Sequence, residues 1–391
     1  MTHIVDISAL YSPTGGGIRI YTRRKLQAAL AMGIRLTVIV PGADDSIEEI
    51  GPGVRLVNIP SPRFPFDRSY FYFDSDAIIH AALDAHQPDF VEASSPWGSA
   101  SAVADWPGAA PRALIMHADP LSAWAYRWFE GVASHKTIDK GFAWFWRHLR
   151  RLDGKFDTII CASPGLTKRL VDGGLTRVET NPMGVEPGIF SPLHRDPVLR
   201  AQLLARCGLP DTATLLLGSG RLSPEKRWPL IIAATAAAGY SRPLGLVLVG
   251  DGHGRATVVR AVGENPHIQL LPPTFNRAEF ARLMASADLL VHGSSSETFG
   301  MVQAEASASG LPIIVADEGS ASDHLVAGQG LAYVAGDAAS AAHVIGKAVD
   351  ALAAMRAAAR LTAPGVRIMD SHFTELFGRY AGLIAGARRA A

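Results

Sequence analysis

Ile18-Arg19-Ile20-Tyr21-Thr22-Arg23-Arg24-Lys25-Leu26-Gln27-Ala28-Ala29-Leu30-Ala31-Met32-Gly33-Ile34-Arg35-Leu36-Thr37-Val38-Ile39-Val40 carries two periodicities in one short run. Up to about Met32 the apolar residues recur at helical spacing, and from Ile34 to Val40 they form the β-branched run of a buried strand. The alternation recurs along the chain, which is the signature of a parallel sheet with helical crossovers. In the first half the spacing predicts strands over Ile4 to Ala9, Ile34 to Val40, Val54 to Ile59, Asp89 to Ala93, Ala113 to His117 and Thr158 to Ala162. In the second half it predicts Thr214 to Gly218, Gly245 to Gly250, Ile268 to Leu271, Leu289 to His292, Ile313 to Ala316 and Leu331 to Val334. Two doubly wound α/β units are therefore expected, facing each other across a cleft.

The stretch Asn181 to Pro192 is dense in proline and glycine and follows neither period, so it reads as the linker. The expected domains are 1–185 and 186–370. Residues 371–391 read as a C-terminal helix with Phe373, Leu376, Phe377 and Tyr380 on one face, packing back on the N-terminal domain.

Composition narrows the function. The 391 residues are 48% hydrophobic and 19% charged, as in a folded enzyme of more than one core. A net charge of +1 lacks the cationic surplus that nucleic-acid binding demands, so no nucleic-acid partner is expected. Cys161 and Cys207 lie in apolar surroundings and read as buried thiols in a reducing compartment. The opening Met-Thr-His-Ile-Val-Asp has no signal-peptide pattern, and no apolar run approaches the ~20 residues that span a bilayer. The expected location is the cytoplasm, with peripheral attachment to the inner face of the plasma membrane as an option.

In open parallel sheets ligands gather at the carboxyl ends of the strands, where this chain places its unusual residues. Gly15-Gly16-Gly17 precedes a helix, so either backbone amides meet an anion there or the triplet is a flexible turn. Arg221 and Lys226, in Gly220-Arg221-Leu222-Ser223-Pro224-Glu225-Lys226-Arg227, pair a planar guanidinium with an ammonium on a strand-to-helix loop. Together they can neutralise a diphosphate and stabilise it as a leaving group, or they are a solvated basic turn. Glu297-Thr298-Phe299-Gly300-Met301-Val302 leads into a helix bearing Glu305, whose free amides can bind phosphate or a sugar hydroxyl. Glu305 can accept two hydrogen bonds from a ribose diol; the plainer reading is a surface glutamate. Gly250-Asp251-Gly252 marks another strand exit, and His117 ends a strand where it can meet a sugar hydroxyl or be structural. Asp74-Ser75-Asp76 resembles a metal-binding pair, but its place before the helical stretch Ala77 to Ala85 favours a helix cap, and no metal site is expected.

Residues 124–155 hold four of the seven tryptophans and seven Lys and Arg against three acids. Phe142, Trp144, Phe145 and Trp146 with Arg147, Arg150 and Arg151 fit an amphipathic surface for an anionic bilayer, or an aromatic core helix with a solvated basic face.

Nearly end to end, the chain resembles the retaining GT-B glycosyltransferases of family 4. The likeness rests on Pro13-Thr14-Gly15-Gly16-Gly17, Asn181-Pro182-Met183-Gly184-Val185 with Phe190 and Pro192, Gly220 to Lys226, Gly250-Asp251-Gly252, and Glu297 to Glu305. It implies an N-terminal acceptor-side Rossmann-like domain and a C-terminal domain for the nucleotide-sugar donor. It further implies that Arg221 and Lys226 hold the donor diphosphate, Glu297 faces the donor sugar, Glu305 the ribose, Gly16 and Gly17 the phosphates, and His117 the sugar. Gly250 and Asp251 fall on a family motif, and the backbone of Phe299, Gly300, Met301 and Val302 would line the donor pocket. No cofactor is implied beyond the nucleotide sugar; the acceptor would be a glycan or a lipid-linked molecule. Tyr11 to Arg19 and Pro88 to Ser95 resemble bacterial GDP-mannose-dependent α-mannosyltransferases, with a UDP-sugar the next choice of donor. Gly319-Ser320-Ala321-Ser322-Asp323 departs from the family, which has Gly-Gly and a later Glu there. Two rivals are a nucleotide-sugar epimerase or related NAD-dependent enzyme, which lacks its spaced-glycine turn here, and a non-catalytic nucleotide-sugar-binding protein.

Overall fold

A computed structural model describes residues 2–9, 11, 17–65, 70–117, 121 and 135–390. The chain divides into one unit of Met1–Pro182 with Asp370–Ala391 and a second of Met183–Met369. The first boundary falls within the proline- and glycine-rich stretch, and the second one residue into the C-terminal helix Met369–Ala390, the rest of which belongs to the first unit.

Eight strands build the sheet of the first unit: β1 His3–Ser8, β2 Arg35–Gly42, β3 Ser46–Gly51, β4 Val54–Pro60, β5 Phe90–Ser94, β6 Arg112–Met116, β7 Thr158–Cys161 and β8 Val178–Thr180. Their order is β3-β4-β2-β1-β5-β6-β7-β8, parallel throughout except for the β3–β4 pair. The second unit holds β9 Thr214–Ser219, β10 Leu244–Val249, β11 Ile268–Leu271, β12 Leu289–Val291, β13 Ile313–Ala316 and β14 Gly330–Tyr333, ordered β11-β10-β9-β12-β13-β14 and all parallel. Both sheets reverse winding direction once, between β1 and β5 and between β9 and β12. Such switch points open a crevice at the carboxyl ends of the strands.

The central strands of the second sheet are apolar on both faces because helices cover both; β9 and β10 are buried at every position. Trp228, Ile231 and Ile232 of helix Trp228–Gly239 pack on Leu246 and Leu248, and each such side chain contributes roughly 1.5–3 kcal/mol on burial. Two short strands were not anticipated. β3 is an exposed antiparallel edge reading Ser-Ile-Glu-Glu-Ile-Gly, and β8 has three residues, so neither carries a buried apolar run. Ser75 is the cap of helix Asp76–His86, its hydroxyl accepting from the Ala77 amide at 3.2 Å. Cys161 and Cys207 are buried.

A polar cluster lies inside the first unit. Lys25 is fully buried, and its ammonium donates to Asp6 at 2.9 Å and to Glu92. The Tyr380 hydroxyl of the C-terminal helix donates to the same Glu92, and the Tyr380 ring stacks on Phe90 at 4.1 Å. Phe373, Leu376 and Phe377 of that helix are buried alongside. Burial, and then Glu92, raise the Asp6 pKa to about 6 against the pull of Lys25. One cation thus serves two buried carboxylates. Lys25→Met removes it and should destabilise the fold by about 3–5 kcal/mol, read as a lower denaturation midpoint. An unchanged midpoint would contradict the arrangement.

Candidate donor-binding site

The exits of β9 and β12 flank the switch point of the second sheet. After β9 the chain turns through Gly220 and Arg221 into the 3-10 turn Pro224–Lys226; after β12 it passes His292 and reaches Glu297. The two loops are tied by an ion pair in which the Lys226 ammonium donates to Glu297 Oε1. His292 Nε2 donates to the same oxygen at 2.9 Å. Burial pushes the Glu297 pKa up, but Lys226 and His292 outweigh it and hold the carboxyl well below its usual range. Burial lowers the His292 pKa, so the ring is neutral with its proton on Nε2, facing the carboxylate. His292 Nδ1 has no partner among the described residues.

Glycines let these loops approach. A Cβ on Gly250, at the end of β10, would lie 2.0 Å from the Gly220 carbonyl oxygen, so that exit seats against the Arg221 loop only without a side chain. Gly300 has φ +84° and turns the chain into helix Met301–Ala308, leaving the first amides of that helix without a side-chain cap. Behind it, His324 bonds the Phe299 carbonyl and packs edge-on against the Phe299 ring at 4.9 Å.

Two family descriptions match the chain: "Glycosyl transferases group 1" over residues 201–360 and "Glycosyltransferase Family 4" over residues 15–188. A GDP-mannose-dependent alpha-mannosyltransferase of Mycobacterium tuberculosis is 30% identical over 328 residues, 82% of this chain and 80% of that protein. The chain belongs to glycosyltransferase family 4. A second relative of this glycosyltransferase, from the same species, is a GDP-mannose-dependent alpha-(1-6)-phosphatidylinositol dimannoside mannosyltransferase. It is 27% identical across 84% of this chain and 82% of its own. Sucrose-phosphate synthase from Thermosynechococcus elongatus shares the fold with TM-score 0.77 at 16% identity, covering 98% of this chain and 100% of its own. An Anabaena protein in complex with UDP and glucose does so with TM-score 0.70 at 17% identity, covering 97% and 100%. The fold of the glycosyltransferase is GT-B, with two Rossmann-like domains.

Within this family 4 enzyme, the anticipated residues divide by unit. Lys226 and Glu297 are in direct contact. Phe299 and Gly300 lead into helix Met301–Ala308, which Met301 and Val302 open. Arg221 is exposed, its carbonyl accepting from the Trp228 indole at 3.0 Å, and no described side chain pairs with its guanidinium. Asp251 caps its own loop through the Gly252 amide at 2.9 Å. Glu305 is buried, not a surface glutamate, and Arg277 donates to it. In the first unit, Gly17 opens helix Gly17–Ala31, and Tyr21 one turn later packs edge-on against His117 at 4.8 Å. Burial, with Lys25 adding to it against Asp6, lowers the His117 pKa to about 4, and its shielded Nε2 has no partner among the described residues. Gly16 lies outside the described residues, as do 124–134 of the aromatic basic stretch.

Three site neighbours escaped the sequence reading. His292 was legible only as a strand end; Arg277 and His324 carry no local signal. The departure at Gly319 to Asp323 keeps a role in support: the Ser320 amide donates to the Glu297 carbonyl at 3.2 Å. Of the two readings of the aromatic basic run, helix Ala143–Asp153 has the core helix with a basic outer face: Phe145, Trp146 and Leu149 are buried, and Trp144, Arg147, Arg150 and Arg151 are exposed.

Proposed function

We propose that this family 4 glycosyltransferase moves mannose from GDP-mannose to a glycan or lipid-linked acceptor in cell-envelope polysaccharide or glycolipid synthesis. The observation that carries the donor site is the contact of Lys226 with Glu297 across the β9–β12 switch point, beside the uncapped amides of helix Met301–Ala308. The GDP-mannose dependence of both mycobacterial relatives favours that donor over a UDP-sugar.

In this reading Arg221 and Lys226 hold the diphosphate, with the amides after Gly300 and those at Gly16 and Gly17 as further anion donors. Gly250 and Asp251 border the pocket beside Gly220. Glu297 faces the donor sugar, Glu305 the ribose, and neutral His117 a sugar hydroxyl. The bond from the sugar anomeric carbon to the diphosphate oxygen breaks, and the acceptor hydroxyl oxygen bonds that carbon on the same face. The acceptor proton passes to the departing phosphate, so the configuration is retained. The chain's own contribution is orientation and charge stabilisation, a few kcal/mol per well-placed donor.

A thermal-shift panel of GDP-, UDP- and ADP-sugars tests the donor, because a ligand that binds only the folded chain raises its melting temperature. GDP-mannose should give the largest shift and support labelled transfer to a lipid acceptor; a larger shift with a UDP-sugar would replace the donor. Binding with no transfer to any acceptor would favour the non-catalytic reading.

No described helix is long and apolar enough to cross a membrane. We place the protein in the cytoplasm, attached peripherally at the inner face of the plasma membrane through the exposed Trp144 and the arginines of helix Ala143–Asp153. Sedimentation with anionic vesicles should weaken as salt rises; equal sedimentation with neutral vesicles would count against that surface.

A further inference from the structure

One guanidinium in the second unit serves two buried carboxylates. Arg277 is the first residue of helix Arg277–Ser286; its Nε donates to Glu186 and its Nη2 to Glu305. The acid side chains keep only 8% and 5% exposure, against 36% for Arg277. The guanidinium also lies over the rings of Phe190 and Phe280, 4.9 and 5.7 Å from their centroids. Two charge-assisted bonds and two ring faces leave the planar fork one orientation. Segments from the domain boundary, the start of helix Arg277–Ser286 and the middle of helix Met301–Ala308 meet at this side chain.

The electrostatics give the contact a purpose beyond packing. Burial raises the Glu305 pKa, and Arg277 works against the rise. An ionised carboxylate accepts through both oxygens, whereas a protonated one turns part of that capacity into a donor. Arg277 engages Oε1 of Glu305, and no described residue bonds Oε2. The carboxylate is therefore held from one side with its other oxygen unengaged.

We propose that Arg277 is a positioning residue for nucleoside recognition, fixing the charged Glu305 carboxylate so that it accepts the ribose diol of the bound nucleotide. This rests on the assignment of Glu305 to the ribose, so the experiment separates the two. Calorimetric titration of the full chain compares GDP with 2′,3′-dideoxy-GDP, and UDP with its dideoxy form, for the wild type, Glu305→Ala, Arg277→Met and Arg277→Lys. Loss of hydrogen bonds to a charged group makes the wild type prefer the ribose form by roughly 10-fold or more. Arg277→Met should abolish that preference while leaving the dideoxy affinity unchanged. Arg277→Lys, which keeps the charge but not the fork, should retain part of the preference and carries the comparison if the Met variant does not fold.

A general structural role for Arg277 would weaken both nucleotide forms alike, and that result overturns the proposal. If Glu305→Ala abolishes the preference and Arg277→Met preserves it, the positioning role falls and the ribose assignment stands. If Glu305→Ala preserves it, both fall.

Discussion

Lys226→Ala should lower turnover by about 10²–10³-fold with the fold intact, and Arg221→Ala should do the same through the other cation. Removing one preorganised donor to a developing charge typically has this effect, and a departing diphosphate gathers more charge than most leaving groups. Lys226 does two things at once. It supplies an ammonium beside the proposed diphosphate, and it neutralises Glu297, with which it is paired. Among the described residues no side chain bonds the Arg221 guanidinium, so its replacement breaks no hydrogen bond or ion pair among them. Steady-state rates with saturating nucleotide sugar provide the check, beside melting curves that stay unchanged for Arg221→Ala and shift down for Lys226→Ala, which leaves Glu297 without its ammonium. Wild-type turnover in either variant would remove that residue from the site. Arg221→Lys should recover little, because an ammonium cannot reproduce the two-pronged grip of a guanidinium on phosphate oxygens.

Glu297→Gln is expected to be nearly as damaging, about 10²-fold or more in kcat, through a different cause. The carboxylate is shared by Lys226 and His292, and together they keep it ionised against the cost of burial. An amide of the same shape leaves Lys226 without a counter-charge and the His292 Nε2–H facing a weaker acceptor, while losing the negative charge proposed to face the donor sugar. Because the folded pKa of Glu297 is depressed, its pairing stabilises the fold above the unfolded carboxyl range near 4.5 and is lost only as pH falls through the depressed value. Activity between pH 6 and 8 should therefore show no titration from Glu297. A Gln variant with unaltered kcat would remove the charge role, and a fall in melting temperature at pH 7 alone would mark the pair as structural.

How much of this was legible before folding is clearest at individual residues. Thr214 to Gly218 and Gly245 to Gly250 announced β9 and β10, because a strand covered on both faces must be apolar at every position. Arg221, Lys226, Glu297 and Glu305 stood out because charged side chains at strand exits and helix starts contrast with the alanine and leucine around them. β3 was not legible, since Ser46-Ile47-Glu48-Glu49-Ile50 pairs only through β4 and buries little. Glu305 read also as a surface residue; it is buried, and its partner Arg277 lies 28 positions away. The aromatic run at Phe142 to Trp146 was ambiguous between core and surface, and the helix resolved it by sending Phe145 and Trp146 inward and Trp144 outward.

The amino-acid order by itself determined the alternation of strands and helices, the two-unit plan and the motifs that mark the family, because these follow from periods of a few residues and from backbone needs that each residue meets alone. Only the tertiary structure decided which charges meet. His292 and Lys226 converge on one oxygen of Glu297, Arg277 bridges Glu186 and Glu305, and Lys25 is enclosed by Asp6 and Glu92. Electrostatic pairing acts through space between segments that are far apart along the chain, and its strength depends on exclusion of water, which exists only once the sheets and helices have packed.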